Sequence, residues 1–421
     1  MPNCPYNLLE SRTTQRVRST GWTLERLNTV LGVPGDPGVF KMVNLLSSRI
    51  MHPKPMERNH LGQLLLVGVP TPELDVDTAK LFRRIQPGGF VLFGRNVKSA
   101  KQLRQLVDDL RGLSQEEPII AIDQEGGRVS RLKMIGNEPP NAQQLREKGD
   151  ESLIRTHGEL TGELLRLFGF NLDLCPVLDI SFDDEADNSL RGRCWGTSVQ
   201  QVVQFAGVFN QALLSTGVLT CGKHFPGYAA AGLDPHHDLP RIDRSLVELE
   251  ACELAIFRAF RNQVSSMMVG HAWYSAFNAD KMPASLSTNV ITKLLKEDLH
   301  FEGLTITDDL DMGAIINESG FEETISRAMA AGNDMAMICH RVGMAEEAMT
   351  ILGQLDRAMI DRALEAVSGF KRGLVRPTPF SEARFHELDQ RVWSLRVATL
   401  GAEKAAQRSP DDGKRSPVEV Y

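Results

Sequence analysis

Between residues 60 and 340 the sequence repeats one pattern, a short apolar run followed by a longer amphipathic segment. The apolar runs fall at 62–68, 89–94, 118–122, 170–174, 218–222, 266–270, 303–307 and 334–339. Short continuous apolar runs alternating with helix-length segments are the signature of a parallel sheet whose strands are buried on both faces. Each intervening segment, AKQLRQLVDDLRGL and VQQVVQFAGVFNQALLSTG among them, is long enough to be a crossover helix. In the second of these, Val202, Val203, Phe205, Ala206, Phe209 and Leu213 recur at helical spacing and are expected to form one apolar face against the sheet. Eight strands is the number that closes a barrel. The expected fold is therefore α/β, a single (β/α)8 TIM-type barrel with an N-terminal extension and a C-terminal helix.

The chain's 421 residues would admit two domains, but the eight runs favour one elaborated barrel. The expected division is 1–54 as an accessory segment, 55–375 as the barrel, and 376–421 as a C-terminal helix with a mobile polar tail. A helix is expected around WTLERLNTVL in the first segment and another over 356–372, which RPTP at 376–379 ends. A last helix is expected from Ser381 to about Glu403. The net charge of -7 opposes attraction to nucleic acid or anionic membranes. With no 18-residue apolar run, no secretory signal in the first twenty residues and six scattered cysteines without a CxxC pair, the expectation is a cytoplasmic chain with reduced thiols and no membrane partner.

Active sites of such barrels lie at the C-terminal ends of the strands. There the sequence places Asp123 after PIIAI, Asp173 and Asp179 around CPVL, Lys223 and His224 after VLTCG, His271 after MMVG, and Asp308 and Asp309 after GLTIT. One such residue could be only a helix cap, whereas five ionisable strand ends point to one shared site.

Three motifs carry chemistry. The segment KHFPGYAAAGLDPHHDLP, 223–240, is too long for an ordinary βα connection and brings Asp234, His236, His237 and Asp238 to its tip. A metal site is one reading of these groups, though the loop has neither a helical HExxH nor a strand-borne HxH pair. The stronger reading uses Asp234 to orient His236, so that the imidazole gives a proton to a leaving group. His237 is read as a bystander. In ITDDLDMGAI, 306–315, Asp308 either caps a helix or points into the barrel mouth as a nucleophile. Asp309 and Asp311 read as capping or supporting groups. In AIDQEGGRVSRL, 121–132, Gly126 and Gly127 permit a tight turn, and Asp123, Glu125, Arg128 and Arg131 supply hydrogen-bonding groups. Asp123 could accept bonds from adjacent sugar hydroxyls.

Taken together, DQEGGRV, KHFPG followed by DxH, and TDDLDM resemble the family 3 glycoside hydrolases, specifically the bacterial β-N-acetylglucosaminidases (β-hexosaminidases) of peptidoglycan recycling. GGFVLFGRN, NLDLCPVLDI, RGRCWG and PASLS extend the resemblance over roughly 55–375. It implies Asp308 as nucleophile, His236 as general acid/base and Asp234 as its dyad partner. Asp123, Arg193, Lys223 and His224 would line the subsite for the terminal sugar, with Arg131 a weaker binding candidate and His271 and Met312 as wall or core residues. The implied reaction needs no metal or organic cofactor, and the implied partner is a small carbohydrate, GlcNAc-containing muropeptides. The chain departs from the family loop at Tyr228, Ala229, Ala230 and Ala231, where HGDT is usual, and at Pro235, where Ser is usual. Alternative readings are a family 3 β-glucosidase or broad β-hexosaminidase, a phosphorylase, and a sugar-binding relative without turnover.

Overall fold

A computed structural model describes residues 58–186, 188–228, 239–311, 315 and 320–409. The chain separates into Met1–Met56 and Glu57–Tyr421, and the description concerns the second unit. The helix expected around WTLERLNTVL lies outside the described residues.

All eight apolar runs form strands: β1 (Leu65–Gly68), β2 (Gly89–Leu92), β3 (Ile119–Ile122), β4 (Leu172–Asp173), β5 (Leu219–Phe225), β6 (Ser266–Val269), β7 (Leu304–Asp309) and β8 (Met335–Ile338). They pair in parallel in chain order and close into a barrel. At the seam β1 pairs with β2 through Leu66↔Gly89 and with β8 through Leu65↔Ala336 and Val67↔Ile338. Closure leaves no strand edge exposed. The strand side chains are buried almost throughout, as expected where barrel interior and helix layer cover both faces.

The helices are α1 (Val76–Ile85), α2 (Ala100–Leu113), α3 (Ala142–Lys148), α4 (Glu151–Phe168), α5 (Val199–Ser215), α6 (Leu246–Ala251), α7 (Glu253–Phe260), α8 (Phe321–Ala331), α9 (Ala345–Leu352), α10 (Arg357–Lys371), α11 (Glu382–Leu400) and α12 (Ala402–Ala405). A π-helix, Asn289–Asp298, makes the crossover from β6 to β7. Local chemistry fixes the helix starts. Ser99 accepts a bond from the Gln102 amide at 3.2 Å and the Gln102 side chain accepts from the Ser99 amide, a reciprocal cap that satisfies two otherwise orphaned donors.

Four expectations are corrected. Residues 62–64 belong to a 3-10 helix, Arg58–Leu64, and the strand starts only at Leu65, because the apolar run spans the junction of the two elements. LVELEACELAIFRAFRNQV is two helices that break at Cys252, where φ -128 and ψ -91 are not helical. The last helix stops at Gly401, whose φ of 79 favours glycine, before the short α12. In α5, Val202, Ala206, Phe209 and Leu213 face the core, but Val203 and Phe205 are only half-buried. A turn of 100° per residue carries those two to the flank of the stripe.

The C-terminal helix is built into the barrel. α11 packs on α4, with Phe385 edge-on to Phe168 at 5.4 Å. Asp389 accepts bonds from the Asn137 amide at 2.5 Å and its side-chain nitrogen at 2.8 Å. Arg396, buried, pairs with the buried Glu138 at 3.0 Å. Among the described residues no helix is long and apolar enough to cross a membrane. Cys175, Cys194, Cys221 and Cys339 are free and buried and Cys252 is free, so these five act as small side chains in the packing.

Candidate active site

The chain leaves β3 at Asp123 and turns through a hairpin of Gln124–Gly126 and Val129–Ser130. Gly126 makes this possible. Its φ is +115, and a Cβ there would stand 2.4 Å from the Pro140 carbonyl oxygen and 3.2 Å from His157 Nε2. The hairpin projects Glu125 beside Asp123, and β5 brings Lys223 up between them. Lys223 Nζ lies 2.6 Å from Asp123 Oδ1 and 2.7 Å from Glu125 Oε1. Arg193, from the loop before α5, grips Glu125 with two bonds of 2.8 Å, and Arg131 Nη2 reaches Asp123 Oδ2 at 3.4 Å.

Three cations and two carboxylates thus form one buried chain, Arg131, Asp123, Lys223, Glu125, Arg193. Burial by itself would raise both carboxylates. The Lys223 and Arg131 charges outweigh it at Asp123, and Arg193 and Lys223 outweigh it at Glu125, so both sit below their ordinary range. Burial would likewise lower Lys223, but Asp123 and Glu125 raise it above free lysine. The array stays ionised at neutral pH. Both carboxylates keep lone pairs beyond those the cations use, and the ammonium keeps a third proton, so the array can accept from and donate to adjacent hydroxyls of one ligand.

His224 follows Lys223. Its Nδ1 donates to Asp179 Oδ2 at 2.7 Å, which fixes the tautomer and leaves Nε2 as the ring's remaining functional atom. Asp179, fully buried, also accepts from the Tyr228 amide at 2.6 Å, so one carboxylate holds both ends of the turn that begins the long loop. The Tyr228 ring stands edge-on to His224 at 5.5 Å, and its hydroxyl accepts from the His271 amide at 2.5 Å. Burial, followed by the nearby charge of Asp308, pushes the Tyr228 phenol well up.

Asp308 is near the end of β7 and is half-buried, with Oδ1 accepting from the Asp309 amide at 2.8 Å. Thr307, Val269 and Phe225 are in register across β7, β6 and β5, so Asp308 emerges at the level of the Lys223 and His224 strand end. The Asp309 and Asp311 carboxylates are taken up by the chain that follows β8. Asp309 accepts from the Cys339 amide at 3.0 Å, and Asp311 from the His340 and Arg341 amides at 2.8 and 2.9 Å. These bonds lace β7 to the loop after β8. Burial, with Asp311 and then Asp308 adding to it, pushes Asp309 up to about 8.

The structure joins Asp123, Arg131, Arg193 and Lys223 in one array, sets His224 next to Lys223 against Asp179, and puts Asp308 at the same end of the barrel. Asp234, His236, His237, Asp238 and Met312 lie outside the described residues. His271 is fully buried, its Nε2 donating to the Asp309 carbonyl at 2.9 Å and its Nδ1 paired with Ser285 Oγ at 2.7 Å, so it is a core strut. Asp173 is also enclosed. It accepts from the Gln124 amide at 3.0 Å, and burial pushes it up to about 7.

Sequence reasoning gave too little weight to Glu125, the hub of the array, to Asp179 as the anchor of His224, and to Tyr228. It also passed over His340 at the end of β8, which lies 3.4 Å from Asp309 Oδ2 through Nε2 and 3.3 Å from Arg95 through Nδ1. The rule that singled out the other strand ends applies equally to His340 and to Arg95 after β2.

Residues 56–369 match the Glycosyl hydrolase family 3 N terminal domain. The chain is 29% identical to a beta-hexosaminidase of Photobacterium profundum over 76% of this chain and 94% of that protein. It is 30% identical to a beta-hexosaminidase of Vibrio cholerae over 78% and 94%. Among solved structures, a glycoside hydrolase family 3 beta-N-acetylglucosaminidase from Paenibacillus sp. superposes with a TM-score of 0.74 at 30% identity, covering 81% of this chain and 69% of that one.

Proposed function

The chain belongs to glycosyl hydrolase family 3, and from that premise we propose that it is a retaining exo-β-N-acetylglucosaminidase releasing terminal, non-reducing β-linked GlcNAc from muropeptides during cytoplasmic cell-wall recycling. The observation that carries this reading is the buried Arg131, Asp123, Lys223, Glu125, Arg193 array at the barrel mouth. A sugar presents vicinal hydroxyls, each both donor and acceptor, and an array of fixed carboxylates and cations matches that pattern. In this reading Asp123, Arg131, Arg193, Lys223 and His224 hold the terminal sugar.

Asp308 attacks the anomeric carbon, the C–O bond to the aglycone breaks through an oxocarbenium-like transition state, and His236 delivers its proton to the departing oxygen. The neutral imidazole then removes a proton from water as that water attacks the glycosyl–Asp308 ester, and the sugar leaves with its configuration retained. Asp234 orients His236 and stabilises its charged form. The carbohydrate is the only partner this chemistry requires.

The test is turnover of an aryl β-GlcNAc and of a GlcNAc–anhydro-MurNAc muropeptide, with the product anomer followed by NMR. Initial release of the β-anomer is expected, with Asp308→Asn and His236→Ala each slower by at least ~100-fold. An inverted product, faster aryl β-glucoside turnover, phosphate-dependent formation of GlcNAc-1-phosphate, or an Asp308→Asn variant as active as wild type would refute the reading.

A further inference from the structure

Beside the sugar array, and separated from it by the Arg193 side chain, a cleft of about 500 Å³ opens between the hairpin after β3, the loop before α5 and the C-terminal helices. Six cationic side chains line it: Arg128, Arg191, Arg193, Arg396, Lys404 and Arg408. No carboxylate is among its described lining residues, although the chain as a whole carries a net charge of -7. A generally basic surface would not be notable. A concave, single-sign site on an acidic protein concentrates field lines and selects for anions.

The cleft is built from fixed parts. Arg396, 3% exposed, donates to the Ala405 carbonyl at 2.9 Å and to Glu138 at 3.0 Å, and Ser409 Oγ donates to Glu138 at 2.7 Å. The segment carrying Lys404 and Arg408 is thereby held over the mouth. Arg408 donates to the Lys133 and Gly136 carbonyls at 3.1 and 3.2 Å, and neither Arg408 nor the exposed Lys404 has an ion pair among the described residues. Glu125, Glu138 and Glu185, which pair with Arg193, Arg396 and Arg191, lie outside the cleft lining. The volume is that of a small-molecule site, and guanidinium groups pair with carboxylate or phosphate oxygens two at a time.

We propose that this cleft is a second ligand site, taking a small molecule with two or more carboxylate or phosphate groups. Arg193 is its shared wall with the sugar array, so an anion in the cleft competes with Glu125 for one guanidinium. Occupancy is therefore felt at Lys223 and Asp123, through Glu125. The inference rests on the cleft itself and not on the proposed sugar chemistry, and the binding test contains no sugar.

The full chain is titrated calorimetrically with pyrophosphate and, separately, with tricarballylate, at ionic strength held constant with potassium chloride. Saturable one-to-one binding of either is expected, and the tighter of the two identifies the anionic group preferred. Lys404→Glu, at an exposed position with no side-chain hydrogen bond or ion pair among the described residues, should weaken binding at least 10-fold while leaving the thermal midpoint unchanged, and Arg191→Glu should weaken it likewise. Absence of saturable binding at millimolar probe, or equal binding by wild type and well-folded charge-reversed variants, would overturn the proposal.

Discussion

Replacing Lys223 with methionine removes one ammonium and keeps most of the side-chain volume. Lys223 is 1% exposed and touches Asp123 and Glu125 at 2.6 and 2.7 Å. At an effective dielectric constant near 20 each contact has a gross attraction of about 6 kcal/mol. Desolvation of the three ions, several kcal/mol each, offsets much of that sum. What remains on deletion is the cost of two carboxylates left with too little positive charge, about 3–5 kcal/mol for a broken buried pair. The lower end applies, because Glu125 keeps both bonds to Arg193 and Asp123 keeps Arg131 at 3.4 Å. At ~2.1 cal/mol/K of unfolding entropy per residue, 421 residues give ~0.9 kcal/mol/K, so the midpoint should fall by ~3–5 °C. Both carboxylates are depressed in the folded protein, so this stabilisation is present at neutral pH and is lost only as pH falls through those depressed values. In Lys223→Met the same carboxylates titrate higher. The deficit, measured by calorimetry or urea unfolding, should therefore hold from about pH 7 to about pH 4.5 and shrink as pH falls further. A deficit under ~1 kcal/mol, or one independent of pH, would refute the charge argument and leave only packing.

Asp309→Asn removes a carboxyl that burial holds near 8. A raised carboxyl contributes stability that is complete below its unfolded value and is lost as pH rises through the folded one. The variant should therefore gain at least ~2 kcal/mol relative to wild type between about pH 5 and about pH 8, each unit of displacement being worth ~1.4 kcal/mol; parallel unfolding curves at the two pH values would contradict the assignment. Gly126→Ala must push against the Pro140 carbonyl at 2.4 Å in a backbone region that disfavours side chains. It should destabilise by ~2–4 kcal/mol and raise KM more than it lowers kcat, because Glu125 is displaced; a loss below ~1 kcal/mol with unchanged KM would count against the hairpin's role.

The barrel strands were readable because parallel strands covered on both faces must be short and apolar, and eight such runs leave few arrangements. Local chemistry at their edges was less readable. The apolar run at 62–68 does not announce that its first residues turn helically, and nothing in LVELEACELAIFRAF marks Cys252 as a break. Among candidate site residues, those at strand ends follow from one rule, which singles out Asp123, Lys223, His224 and Asp308. Glu125 gained its importance only through Arg193 and Lys223, 68 and about 100 residues away, and pairings at such separation have no local signature. Asp179 was visible as a strand-end acid, but its grip on both His224 and the Tyr228 amide depends on how β5 stands beside it.

Where the catalytic unit ends is a separate matter from where the family resemblance ends. The match stops at residue 369, yet Asp389 and Arg396 hold Asn137 and Glu138, and the Pro139 carbonyl next to them receives the Gly127 amide at 2.9 Å. A fragment cut at the boundary of resemblance would retain every barrel strand while releasing the outer brace of the hairpin that carries Glu125. The C-terminal helix is thus a splint for the ion-pair array at the barrel mouth, and domain dissection of this protein should be drawn by contacts and not by sequence match.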